Sequence, residues 1–148
     1  MLVGQHLLMD LYTSSKAPLY DALMVQKIVT AITEELQIPP ASLQCYNIGD
    51  AGVLCSLFLA NGHMNLRTYP QHRYIAVDFF LEPDFLEEKA FIRLLKKHFS
   101  SEKTKITHVK RGDLGTLSDM KPKIKTTSGP IRRVKDTSKK MIGILKRQ

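Results

Sequence analysis

Asn61-Gly62-His63-Met64-Asn65-Leu66-Arg67-Thr68-Tyr69-Pro70-Gln71, followed by Tyr74 to Phe80, is the stretch on which the fold turns. His63, Asn65 and Arg67 alternate with Met64, Leu66 and Thr68, and Ile75, Val77 and Phe79 alternate with Tyr74, Ala76 and Asp78. A period of two marks a strand with one face in the core and one outside it. The stretch therefore reads as a strand, a short proline-containing turn and a second strand. Asn61-Gly62 is also a hairpin dipeptide in its own right, because both residues tolerate the positive φ of a tight turn. That alone gives one reason for a glycine at residue 62.

Upstream, Val53 to Ala60 is almost continuously apolar, the pattern of a strand central in its sheet. It follows the turn Gly49-Asp50-Ala51-Gly52, which follows a strand over about Ser42 to Ile48. Leu2 to Tyr12 reads as the first strand, with Gly4, His6, Leu8, Asp10 and Tyr12 on alternate positions. Between these strands, Pro18 suits the first turn of a helix, and Leu19, Ala22, Leu23, Ile28, Val29, Ile32 and Leu36 form its apolar stripe. Pro39-Pro40 ends that helix.

Downstream, Pro83 and Asp84 open a second helix. Asp84 and Glu87 form a capping-box pattern, and Phe85, Leu86, Ala90, Phe91, Leu94 and Leu95 form its buried face. Thr104 to Val109 reads as the last strand. The order β-α-β-β-β-β-α-β, with two helices on one face of an antiparallel sheet, is a two-layer α+β sandwich.

The net charge of +8 belongs to one end of the chain. Residues 121–148 hold ten Lys or Arg and one acid, Asp136, a net of +9, which leaves residues 1–120 with 12 bases and 13 acids, a net of −1. The division is a folded domain over 1–115 and a basic, flexible tail over 116–148. The tail is the part suited to an acidic partner or RNA, although it has no aromatic residue for base stacking. Cys45 and Cys55 give no disulfide framework and no metal-ligand spacing, and a reducing, cytoplasmic setting is expected. The longest apolar run is far short of the roughly 20 residues of a membrane helix. His6 and His63, even with Asp10 or Asp78, lack the tight spacing of a metal site, so no metal is expected.

The stretch from Asn61 resembles the motif of the short prokaryotic S-adenosylmethionine decarboxylases: Glu-Ser-His, two variable residues, then Ile-His-Thr, an aromatic, and Pro-Glu. His63, Leu66, Thr68, Tyr69 and Pro70 keep its frame. Gly4-Gln5-His6-Leu7-Leu8-Met9-Asp10-Leu11-Tyr12 is similar to the family's opening strand, Gly-x-His-x-x-x-Asp-x-Tyr. The resemblance covers approximately residues 2–112. It implies the same sandwich and a homodimer in which protomers pair sheet to sheet.

In that family the motif's Ser cleaves its own chain and becomes a pyruvoyl group, a ketone that acts as the electron sink for decarboxylation. Gly62 stands at that Ser, Arg67 at the motif's second His, and Gln71 at its Glu. Glu82 falls where the family's proton-donating Cys is expected. Glycine has no hydroxyl, an arginine stays protonated, and Ser56 has no positioned base that would let it substitute. No catalytic residue of the family is retained, and no pyruvoyl cofactor is expected.

The first reading is thus a non-processing member of the family, linked to spermidine biosynthesis: a ligand-binding or regulatory subunit, paired with itself or with an active paralogue. Its ligand would be S-adenosylmethionine or a related small molecule, with Tyr46, His63, Arg67, Tyr69, Gln71 and Glu82 as candidate contacts. An alternative is an enzyme without a pyruvoyl group acting on S-adenosylmethionine or an amino acid, with Glu82 as acid or base and Arg67 as carboxylate anchor across adjacent strands. A third reading is nucleic-acid binding through the tail.

Overall fold

A computed structural model describes residues 2–115 of the 148-residue chain. The basic tail over 116–148, in which the sequence also suggests a short helix at Ser138 to Lys146, lies outside the described residues. Six strands, β1 (Leu2–Thr13), β2 (Ser42–Asn47), β3 (Val53–Leu59), β4 (Gly62–Tyr69), β5 (Tyr74–Leu81) and β6 (Ser101–Asp113), form one sheet in the order β2-β3-β4-β5-β1-β6. Each neighbouring pair is antiparallel. Two helices, α1 (Ala22–Glu35) and α2 (Glu88–His98), complete the order expected from sequence.

The alternation read from β4 and β5 is the alternation of burial. Met64, Leu66, Thr68, Ile75, Val77, Phe79 and Leu81 are buried, facing the side that packs against α1 and α2. Val25, Val29 and Ile32 of α1 and Phe91, Leu94 and Leu95 of α2 close this core, with the Phe79 and Phe91 rings 4.2 Å apart between centroids. No helix among the described residues covers the other face of the sheet.

Several boundaries differ from expectation, each for a local reason. Pro18 opens a separate 3-10 turn, Ala17–Tyr20, and α1 begins after Asp21, whose carboxylate accepts the Leu23 N–H at 2.9 Å. Leu23, placed in the apolar stripe by sequence, is consequently 67% exposed. α1 ends before the two prolines. Gln37 takes a left-handed conformation (φ 56°), the Ile38 N–H bonds to Thr33 O and the Gln37 N–H to Glu34 O. The capping box of α2 does not form. Asp84 is left-handed (φ 61°), Phe85 and Leu86 lie in the approach to the helix, and Glu87 is the N-cap without a side-chain cap bond.

β3 is not central. It lies second from the sheet edge, and its apolar run is only half buried: Val53, Cys55, Leu57 and Leu59 face the core while Phe58 is 50% exposed. β6 is longer than the expected Thr104 to Val109, because it stays paired with β1 from Thr13↔Ser101 to Leu2↔Asp113.

The cysteines are also a correction. Cys45 and Cys55 are directly opposite each other on β2 and β3, with Cα atoms 4.1 Å apart, and are joined as a disulfide.

Candidate functional site

Strand register arranges the uncovered face in rows that cross the sheet. One row runs Phe58–His63–Phe80–His6–Val109, the next Gln44–Ser56–Asn65–Asp78–Leu8–Thr107, and the next Tyr46–Leu54–Arg67–Ala76–Asp10–Lys105. A last row is Tyr69–Tyr74–Tyr12–Lys103. These rows decide which of the sequence-selected residues meet.

His63 and Glu82 lie at the Gly62 end. The His63 ring stacks on Phe80 at 5.4 Å between centroids, His6 stands edge-on at 6.5 Å, and Arg111 Nη1 approaches His6 Nδ1 at 3.4 Å. Glu82 lies just beyond β5, where Asn61 Nδ2 donates to its Oε2 at 2.7 Å and its own N–H donates to Asn61 O at 3.0 Å. Gly62 is the first residue of β4, and its pairing with Leu59 makes Ala60-Asn61 the turn between β3 and β4. Neither turn residue has a positive φ. The hairpin therefore gives no reason for the glycine. The reason is close approach: a Cβ at residue 62 would collide with the carbonyl oxygen of Phe80.

Arg67, Tyr69, Gln71 and Tyr46 lie toward the other end. Arg67 is five strand residues from Gly62, about 16 Å along the strand, and pairs in register with Ala76 and Leu54. It does not meet Glu82, so the pair suggested by sequence is not formed. Its guanidinium carbon is 5.2 Å from the Tyr69 ring centroid, and its Nε is buried without a hydrogen-bond partner. Arg67, Tyr69 and Gln71 share a shallow concavity of about 190 Å³ with Asp50, Ala51, Pro70 and His72. Tyr46, 59% exposed, extends this end two strands away and donates its hydroxyl to Gln44 Oε1 at 3.0 Å.

The sequence weighs Asp10 only as a metal ligand and does not link it to Tyr74, because the two come from strands about 60 residues apart. The Tyr74 hydroxyl donates to Asp10 Oδ1 at 2.6 Å, and its ring packs against Tyr69 and Tyr12. Burial first, and then this bond to Asp10, push the Tyr74 phenol well above its ordinary range. The register of β1 with β5 is the signal that identifies both. A larger hollow of about 500 Å³ lies on the helix side, between the end of α1 and the approach to α2, and is lined by none of the selected residues.

The S-adenosylmethionine decarboxylase family model matches residues 5–112. The chain belongs to the S-adenosylmethionine decarboxylase family. Over 112 residues it is 24% identical to the S-adenosylmethionine decarboxylase proenzyme of Methanococcus aeolicus, covering 76% of this chain and 96% of that one. The proenzyme of Synechococcus sp. is 27% identical over 114 residues, covering 76% and 85%. The crystal structure of the adenosylmethionine decarboxylase from Aquifex aeolicus superposes with a TM-score of 0.67 at 18% identity, over 75% of this chain and 92% of that one, so the decarboxylase fold is shared. The family match spans β1 to β6 and includes both ends of the uncovered face. No helix among the described residues is long and apolar enough to cross a membrane.

Proposed function

We propose that this chain is a member of the S-adenosylmethionine decarboxylase family that does not convert itself to a pyruvoyl enzyme and serves polyamine metabolism as a ligand-binding or regulatory subunit. The observation that carries this reading is the environment of Gly62. The motif places the family's reactive Ser there. Glycine supplies no hydroxyl, and even a bare Cβ would strike the Phe80 carbonyl, held in place by the pairing of β4 with β5. A pyruvoyl group does not fit these residues. Arg67 and Glu82, at the other two reactive positions, support the same conclusion: a guanidinium is no general base, and the Glu82 carboxylate is occupied by Asn61.

The concavity beside Arg67, Tyr69 and Gln71 suits a small molecule with a carboxylate and a flat or cationic part, and S-adenosylmethionine has both. Arg67 would anchor the carboxylate, and Tyr69 and Tyr46 offer ring faces. The uncovered face also supports pairing, as a homodimer or with an active paralogue, because Leu8, Leu54, Phe58 and Val109 are all exposed on it. The cytoplasm is the compartment proposed for this role.

The test is a melting series of the full chain with S-adenosylmethionine, spermidine and putrescine, together with recovery of partners from cells through a tagged chain. The reading expects a rise in melting temperature with at least one of these compounds that Arg67→Ala reduces. It fails if no compound shifts the transition and no decarboxylase-family partner is recovered.

A further inference from the structure

The ring closed by Cys45 and Cys55 contains one wall of the concavity. The ten-residue separation encloses Tyr46, the 3-10 turn Gly49–Ala51, and thus Asp50 and Ala51, which face Arg67, Tyr69 and Gln71. The two ends of this ring are held unequally. On the β3 side, Thr68 Oγ1 is buried and accepts the Val53 N–H at 2.7 Å while donating to Leu19 O at 2.6 Å. β3 is also paired on both edges. On the β2 side, the strand is at the sheet edge, paired only with β3, and its end is tied to α1 by an exposed bond from the Ala22 N–H to Asn47 Oδ1 at 2.8 Å. The sulfur bridge is the strongest tie on the weaker side.

The sulfurs are also unequal in access. Cys55 is fully buried, whereas Cys45 is only partly buried, on the core-facing side of the edge strand. The two cysteines are directly opposed in the β2–β3 ladder, so strand pairing keeps them neighbours with the bridge open as well as closed.

We propose that Cys45 and Cys55 form a reversible thiol–disulfide site whose oxidation fixes the wall of the concavity. An external thiolate attacks Cys45 Sγ, the bond to Cys55 breaks, and the Cys55 thiolate leaves and takes a proton. A second external thiol attacks the added sulfur, releasing the Cys45 thiol and a low-molecular-weight disulfide. Two electrons pass from two thiols to the protein, and the reverse reaction uses a low-molecular-weight disulfide as oxidant. The oxidised form holds Tyr46 and the 48–52 loop against β3. The reduced form leaves that loop to its weaker bonds. The effect on ligand rests on the site proposed above; the sulfur chemistry and the loop response do not.

The experiment uses the full chain equilibrated with dithiothreitol or glutathione disulfide, blocked with N-ethylmaleimide, weighed intact, and followed by hydrogen exchange over residues 46–52. Two maleimides are expected after dithiothreitol and none after glutathione disulfide, with no covalent dimer. Amides in 46–52 should exchange about tenfold or more faster in the reduced protein, as expected for a released loop, and Cys45→Ser should match the reduced rate under both conditions. Thiols that remain blockable in glutathione disulfide, bridging between chains, or exchange rates indifferent to redox state would each overturn the proposal. If the loop responds while none of S-adenosylmethionine, spermidine and putrescine shifts the melting of either redox form, the ligand site is wrong and the sulfur site stands.

Discussion

Replacing Gly62 by alanine and by serine separates the shape of this position from its chemistry. The added Cβ meets the Phe80 carbonyl oxygen first and Leu81 Cδ2 at 3.3 Å next. A flexible side chain could swing aside, but a carbonyl inside a ladder cannot: Phe80 is paired with both His63 and His6. Relief requires β4 to shift against β5 near Gly62↔Leu81. Overpacking of this kind costs about 1–3 kcal/mol. At roughly 4 °C per kcal/mol for a domain of this size, that is a fall of about 4–12 °C in melting temperature. Calorimetry of the unmodified chain, Gly62→Ala, Gly62→Ser and the exposed-turn control Ala60→Ser measures it. Alanine and serine should fall together at residue 62, the control should hold, and the serine variant should stay one chain. A Gly62→Ser protein that melts with the unmodified chain would refute the steric reasoning, and one that cleaves itself would refute the reading that Arg67 and Glu82 no longer support the family's processing chemistry.

Other outcomes follow from the same structure. Thr68→Val should orphan the Val53 N–H and the Leu19 carbonyl, costing about 1–3 kcal/mol for each buried group left unpaired and read as a lower denaturant midpoint. The bond from His98 Nε2, and then Lys97, hold the Glu35 carboxyl below its ordinary range, with desolvation opposing them. A lowered carboxyl stabilises the fold above its unfolded pKa and loses that contribution as pH falls through the folded value. Glu35→Gln should therefore lower the melting temperature near neutrality and converge with the unmodified chain in acid; a constant gap at all pH values would contradict the assignment. Phe58→Asp, on the uncovered face, should shift the sedimentation coefficient toward the monomer if that face pairs, while leaving the melting of the core nearly unchanged.

Period-two alternation in β4 and β5 was enough to reveal which side chains form the core, and two apolar stripes revealed the helices. Local backbone chemistry was less legible. Pro18 and Asp84 look like helix starts, but a 3-10 turn and a left-handed residue displace the true starts to Ala22 and Glu88. Register was written in the sequence but needed the turns. A turn spanning Pro70 to Arg73 sets Tyr69 opposite Tyr74, and then Arg67 opposite Ala76, which already separates Arg67 from Glu82. The five-residue link 48–52 likewise sets Asn47 opposite Val53 and so Cys45 opposite Cys55. Counting cysteines without pairing strands hid that contact. The Tyr74–Asp10 bond was harder to foresee, because α1 and three strands intervene in sequence before β5 returns beside β1.

The central claim is that residue 62 cannot start the family's self-cleavage, and the mass of the purified full-length chain tests it most directly. One species at the 16.8 kDa of the intact sequence is the expected spectrum, with no mass gained on treatment with a carbonyl-trapping hydrazine. Two fragments divided at Asn61–Gly62, one of them blocked at its amino end and trapped by the hydrazine, would contradict it.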